Sequence, residues 1–88
     1  MPIISQFYGI IIRMYFMDDE TYNLPLFHAR YAEHEASCDF DGKVIVGSLP
    51  GKQTKLVIAW AAIHREELEA LWMVMQTDDS FFKIKGLE

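Results

Sequence analysis

The stretch QTKLVIAWAAIHREELEALWMVMQ, residues 53–76, is the part of the chain long and periodic enough to cover a sheet. At about 100° per residue, its large apolar side chains fall on one side of a helix. They are Leu56, Val57, Trp60, Ile63, Leu68, Leu71, Val74 and Met75. Arg65, Glu66 and Glu69 fall on the opposite side. We therefore predict one long amphipathic helix in the C-terminal half of the chain.

The residues on either side of this helix have the patterns of short strands. Residues 3–16 are rich in β-branched and aromatic side chains, with Gly9 predicting a bulge or bend. Shorter strands are predicted at 27–31, 36–40 and 43–49, with Asp41-Gly42 as a two-residue hairpin turn and 81–85 as a fifth strand. The predicted fold is α+β: an antiparallel sheet of four or five strands packed on one long helix, in a single domain spanning residues 1–88.

The composition indicates a folded, acidic protein. Of 88 residues, 51% are hydrophobic and 14% aromatic, which argues against disorder. The net charge of −5 argues against a wholly basic nucleic-acid surface but leaves a local basic patch open. The single cysteine, Cys38, is expected to be structural because no basic residue adjoins it. Without a long apolar run or a signal-peptide layout, we expect a cytoplasmic protein with no membrane partner.

His64 is the one polar residue in the middle of the apolar stripe. A buried imidazole costs free energy unless it is hydrogen-bonded. One interpretation is a general base or metal ligand held by the helix. The other is an ordinary core histidine bonded to a strand carbonyl or a tyrosine. The second is favoured, because most buried polar groups find such partners.

His28 shares one face of its predicted strand with Arg30. If that face lies under the helix, His28 and His64 meet, with Glu67 nearby, in an acid–base or metal cluster. If it is the open face, His28 stands apart with Arg30, and this second arrangement is favoured. The histidine spacing matches no zinc motif, and the chain has no Gly-rich phosphate loop. We therefore expect no metal and no cofactor.

Segments throughout the chain form a combination that is fairly specific. They are Met1-Pro2-Ile3-Ile4-Ser5, Phe7-Tyr8-Gly9-Ile10, Ile12-Arg13-Met14-Tyr15-Phe16, Pro25, Phe27-His28, Tyr31, Leu49-Pro50, Lys55-Leu56-Val57, Trp60, His64-Arg65-Glu66-Glu67-Leu68 and Trp72. Taken together, these segments resemble a small bacterial family catalogued as domain of unknown function 4160. The family usually has His-Phe-His after its proline, whereas this chain has Leu26 at the first of those positions. Leu26 can neither bind a metal nor move a proton, which weakens a two-histidine site on this strand.

The resemblance implies a short cytoplasmic protein encoded beside a second small protein and suspected of belonging to a toxin–antitoxin pair. It supplies no established catalytic residues. The first functional hypothesis is therefore a protein-binding component of such a pair. Its partner is the small protein encoded by a neighbouring gene, with self-association as a further option. The residues expected to contact a partner are Tyr15, Phe27, Arg30, Tyr31, Trp60 and Trp72.

The alternative hypothesis is a small ribonuclease acting as a toxin. His28 or His64 would serve as the general base. Arg13, Arg30 or Arg65 would stabilise the charge that develops on the phosphorus centre. Interleaved arginine and tyrosine side chains also suit RNA stacking, but the many acidic residues make nucleic acid the less favoured partner. Whether the protein is an enzyme stays open at this point.

Overall fold

The protein forms one antiparallel sheet and two helices in a computed structural model that describes residues 2–14, 25–78 and 80–87. The elements in chain order are β1 (Ile3–Phe7), β2 (Ile10–Arg13), β3 (Phe27–Tyr31), β4 (His34–Cys38), β5 (Val44–Gly47), α1 (Gly51–Ile63) and α2 (Arg65–Asp78). The strands lie side by side in the order β1-β2-β3-β4-β5. The predicted α+β class and antiparallel sheet are confirmed.

The N-terminal residues form a hairpin and not one long strand. Tyr8 and Gly9 adopt φ values of 48° and 80°, and Phe7 pairs directly with Ile10. A two-residue turn with positive φ at both positions matches the twist of the strands that it joins. The prediction of one strand over residues 3–16 is therefore wrong, and its residues 15 and 16 lie outside the described residues.

The long predicted helix is also interrupted, at His64. This residue has φ −108° and ψ 22°, and it separates α1 from α2. The hydrogen-bond ladder nevertheless passes through the break: the His64 N–H donates to the Trp60 carbonyl at 3.0 Å, and the Leu68 N–H donates to the His64 carbonyl at 2.9 Å. The prediction of one unbroken helix is wrong, but the buried stripe keeps its register from α1 into α2.

Ile63 does not lie in that stripe, so its predicted place on the apolar side of the helix is wrong. Its side chain is 65% exposed, whereas Val57, Trp60 and Leu68 are buried. At 100° per residue, Ile63 lies about 110° from the centre of the buried positions. It therefore points to solvent.

The C-terminal segment packs against the edge strand β1 without becoming a strand. The Ile84 N–H donates to the Ile4 carbonyl at 2.7 Å, and the Ile84 side chain is 3% exposed. The Lys85 carbonyl accepts a hydrogen bond from Trp60 Nε1 at 2.9 Å. The predicted fifth strand over residues 81–85 is wrong, because these residues do not adopt strand structure. The segment still covers that edge of the sheet.

Both helices cover the same face of the sheet, and the buried apolar side chains form a continuous cluster between the layers. Trp60 is its centre, at 0% exposed. Its ring stacks on Phe7 and meets Phe27 edge-on, with both centroid distances 5.5 Å. Such ring pairs add to the stabilisation from burial alone. In the described part of the chain, neither helix combines the length and apolar character that crossing a membrane requires.

Candidate functional site

The face of the sheet turned away from the helices carries a group of polar side chains. In strand β3, Phe27 and Ala29 are buried toward the helices, so His28 and Arg30 lie on the opposite, open face. The strand register extends this face across the sheet as two rows. One row is Arg13, His28, Ser37 and Val46, and the other is Ile11, Arg30 and Glu35.

His28 is held in place by its neighbour on β4. Its Nδ1 lies 2.9 Å from Ser37 Oγ, and the two residues are directly opposite each other in the β3–β4 register. The contact is partly buried, which protects it from competition by water. The Ser37 hydroxyl therefore fixes the orientation of the imidazole ring on the open face.

The two arginines of this face differ in their partners. Arg30 Nη1 lies 3.1 Å from Glu35 Oε1, and Arg30 Nε donates to the Ala32 carbonyl at 3.1 Å. The ion pair is exposed and contributes little to stability. In the described ranges, no ion pair or hydrogen bond engages the Arg13 guanidinium. Among the described residues, the charge of Arg13 is therefore not offset by a carboxylate, unlike that of Arg30.

These side chains surround a half-open depression of about 400 Å³. Its polar lining comes from three adjacent strands and consists of Arg13, His28, Arg30, Glu35 and Ser37. Two arginines face one glutamate here, so the depression is locally positive on a chain with a net charge of −5. We call these five residues the open-face cluster.

His64 belongs to the other side of the sheet. Its ring centroid lies 5.8 Å from that of Trp60, and its side chain is 12% exposed. Its Nδ1 contacts Glu67 Oε1 at 2.5 Å, so its partner is a helix carboxylate and neither a strand carbonyl nor a tyrosine. Because the sheet lies between them, His28 and His64 do not form one cluster. Among the described residues, no three His, Cys, Asp or Glu side chains are placed to hold a metal ion.

Arg65 and Trp72 line a separate cleft of about 350 Å³ beside α2. Arg65 contacts Asp41 of the β4–β5 hairpin and lies 3.6 Å from Glu69. The Trp72 ring meets Phe40 edge-on at 6.1 Å. The four residues proposed as catalytic are therefore divided: Arg13 and His28 lie on the open face, while His64 and Arg65 lie on the helix side.

The remaining predicted binding residues lie mainly in the core. Phe27 and Trp60 are both 0% exposed, so their rings contact other core residues. Tyr31 is partly buried and packs against the same core. Tyr15 lies outside the described residues. Arg30 is the predicted binding residue that lies exposed in the open-face cluster.

Cys38 is buried in β4, at 0% exposed. Burial, with a smaller contribution from the negative charge of Asp39, raises the pKa of its thiol from 9.0 to about 12. The reactive thiolate is therefore scarce at neutral pH. This agrees with the structural role expected from its sequence neighbours.

The sequence did not predict three side-chain contacts. They are the hydrogen bond between Ser37 and His28 and the ion pairs of Arg30 with Glu35 and of Arg65 with Asp41. The first two lie in the hairpin formed by β3 and β4, where Tyr31 pairs with His34. Recognising Ala32-Glu33 as the turn would have placed Ser37 opposite His28 and Glu35 opposite Arg30. No comparable local signal connects Arg65 with Asp41, since they are distant in sequence.

An antiparallel sheet with helices on one face and a polar cluster on the other defines a small α+β protein. Its family is identified by a sequence model for a domain of unknown function (DUF4160), which matches residues 9–73. Because this match covers most of the chain, the protein belongs to that family. Searches of curated proteins and of solved structures gave no match.

Proposed function

We propose that the protein is the protein-binding component of a two-protein bacterial regulatory pair of the toxin–antitoxin type, acting in the cytoplasm. The partner is a small protein encoded by a neighbouring gene. Strand β5 is the docking element, and the partner adds a strand to its outer edge. The exposed apolar character of β5 is the observation that supports this proposal most strongly.

The two edges of the sheet differ in how they are covered. The C-terminal segment packs on β1 through the bond from Ile84 to Ile4. At the other edge, β5 has the sequence Val-Ile-Val-Gly, with Ile45 39% and Val46 43% exposed. Edge strands usually carry charged residues that prevent pairing with other chains. The absence of charge within the sequence of β5 favours strand addition by a partner.

A β-bulge limits how this edge can pair. Val44 lies opposite Cys38 and Val46 opposite Ser37, so Ile45 is the extra residue on β5. Bulges bend a strand and increase its local twist. A bent, short edge disfavours indefinite sheet extension and suits a single partner strand.

Co-expression with the neighbouring gene product tests the proposal, with the mass of the purified assembly as the readout. We expect a stable complex of the two chains. Ile45→Lys should abolish it, because an ammonium group would be desolvated at the docking edge. Ile63→Lys is the matched control: it introduces the same side chain at a helix position that is 65% exposed.

Three outcomes would contradict this assignment. The first is a chain that forms no complex with its neighbour. The second is a complex that survives Ile45→Lys. The third is a complex lost equally in the Ile63→Lys control. A complex of two copies of this chain, also broken by Ile45→Lys, would assign the same edge to self-association in place of the neighbouring protein.

The second candidate function is a small ribonuclease toxin, favoured by the adjacency of His28 and Arg13 on the open face. An imidazole acting as general base and a guanidinium that stabilises phosphoryl charge are the groups such a reaction needs. In this candidate, His64 and Arg65 have no part, because they lie beyond the sheet.

A growth assay of the chain expressed alone tests this candidate. Growth arrest that His28→Ala removes and His34→Ala leaves intact would support it. His34 is the matched control because it lies on the adjacent strand, outside the open-face cluster. Arrest that persists in His28→Ala, or no arrest by the native chain, would reject it.

A further inference from the structure

We propose that the open-face cluster binds the phosphate group of a small phosphorylated molecule. Arg13 is the principal ligand, and His28 lies beside it. This inference is independent of strand addition at β5, since it concerns the face of the sheet and not its edge. It requires binding alone, so it is also independent of ribonuclease activity.

The sheet register places the polar groups at spacings suited to one phosphate. Arg13 lies directly opposite His28, and Arg30 lies opposite Ile11 on the same face. Directly opposite side chains have Cβ atoms about 4.5–5.5 Å apart, and diagonal neighbours are about 7–8 Å apart. The two arginines are therefore diagonal neighbours, and His28 adjoins both. A guanidinium can donate two parallel hydrogen bonds to phosphate oxygens.

Within the part of the chain that the structure describes, the existing contacts leave the Arg13 guanidinium as the open donor. The charge of Arg30 is partly offset by the Glu35 carboxylate at 3.1 Å. That carboxylate would repel a phosphate placed next to it, so the phosphate is expected nearer to β2. Ser37 acts as a positioning residue, because its hydroxyl contacts the Nδ1 of His28 at 2.9 Å.

The size and lining of the depression indicate a ligand that is larger than a bare anion. Its volume of about 400 Å³ falls within the range of about 300–1,000 Å³ typical of small-molecule sites. Ile11 and Val46 supply apolar surface beside the charged groups. A phosphate carried by an organic group, such as a nucleoside monophosphate, would use both kinds of lining.

Nuclear magnetic resonance titration of the full chain tests this site with three probes: inorganic phosphate, adenosine 5′-monophosphate and adenosine. We expect saturable shifts of amide signals in β2, β3 and β4 with both phosphate-bearing probes, with tighter binding of the nucleotide. Adenosine alone should leave these signals unchanged. Absence of saturable shifts with the nucleotide, or equal binding of adenosine, would overturn the proposal.

Arg13→Gln should weaken nucleotide binding about tenfold or more, because a charge-assisted hydrogen-bond pair is lost. Lys55→Gln removes the same charge from an exposed position on α1 and should change the affinity less than about twofold. Equal losses in the two variants, or unchanged binding in Arg13→Gln, would reject a specific site. If Arg13→Gln loses its folded spectrum, Arg13→Lys is the variant to test. Its ammonium group keeps the charge but lacks the planar fork of the guanidinium, so we expect severalfold weaker nucleotide binding. Unchanged binding in Arg13→Lys would reject the site.

Ile45→Lys separates this inference from the proposed strand addition. The variant should lose the protein partner while binding the nucleotide as the native chain does. Loss of nucleotide binding in this variant would contradict the assignment of the two activities to different surfaces.

Discussion

The two faces of the sheet are built from the same strands but have opposite chemistry. On the helix side of β3, Phe27 is 0% exposed and contacts the Trp60 ring. One residue further along, His28 bonds Ser37 on a face that the helices leave open. The comparison shows that the period-two alternation of a strand separates a buried apolar face from an open polar face. Substitutions on the two faces should therefore have different effects.

The largest expected effect is at the centre of the helix-side face. Trp60→Ala should lower the free energy of unfolding by about 3–5 kcal/mol, because it removes a buried ring and leaves a cavity. Urea denaturation measures this loss. Trp72→Ala, at a half-buried position on α2, should cost less. A Trp60→Ala loss below about 1 kcal/mol would contradict the central position given to this residue.

The next largest loss of stability is expected at Gly47, where β5 packs closely against β4. Gly47 has φ 81°, and a Cβ there would overlap the Glu35 carbonyl oxygen. Gly47→Ala should therefore cost about 1–3 kcal/mol, measured by thermal or urea unfolding. Gly51→Ala is the matched control, since a Cβ at that helix position meets no atom within 4 Å. A similar loss in both variants would show that the β5 conformation is not constrained as described.

The buried thiol of Cys38 should make the free energy of unfolding depend on pH. In the unfolded chain Cys38 ionises near its ordinary pKa of 9.0, whereas in the folded chain burial raises the pKa to about 12. Between these values the folded state binds more protons, so stability is retained below pH 9 and falls as the pH rises. Because of this thiol, the free energy of unfolding falls by about 1.4 kcal/mol per pH unit at most.

Cys38→Ala should remove that component of the slope, leaving only the contribution of other alkaline groups. Urea unfolding of both proteins between pH 8 and about 11 measures the difference. Identical slopes would show that the thiol titrates normally in the folded state and that β4 does not shield it.

The smallest effect is expected on the open face. Arg30→Gln removes an ion pair whose side chains are 51% and 69% exposed, so its cost should be about 0.5 kcal/mol or less. Urea unfolding at two salt concentrations measures it. A loss comparable with that of Trp60→Ala would contradict the proposed division between a stabilising face and a binding face.

Much of this division follows from the pattern of residues. Alternation in Phe27-His28-Ala29-Arg30 separates two faces, and the 3.6-residue periodicity of the helical segment gives its buried stripe. Alternation alone does not determine which face the helices cover. That depends on where Trp60 and its neighbours pack, so two positions for His28 remained open until the fold was known.

Three differences between the predicted and the observed elements have identifiable physical causes. A tyrosine with positive φ is uncommon, so the sequence predicts a bulge or bend at Gly9 and not a two-residue turn at Tyr8-Gly9. The break at His64 has no proline or glycine to mark it. Residues 81–85 have a strand-like alternation, yet they do not form a strand. Such outcomes are decided by tertiary contacts, which short sequence windows do not contain.

Amide hydrogen exchange, measured on the protein alone and with the proposed partner from the neighbouring gene, tests the central claim most directly. The account predicts that the amides of Val44–Gly47 gain protection on binding, because a partner strand pairs with the β5 edge. Amides in β1, which the C-terminal segment already covers, should change little. Protection gained instead around Trp72, with β5 unchanged, would contradict the account and place the partner in the cleft beside α2.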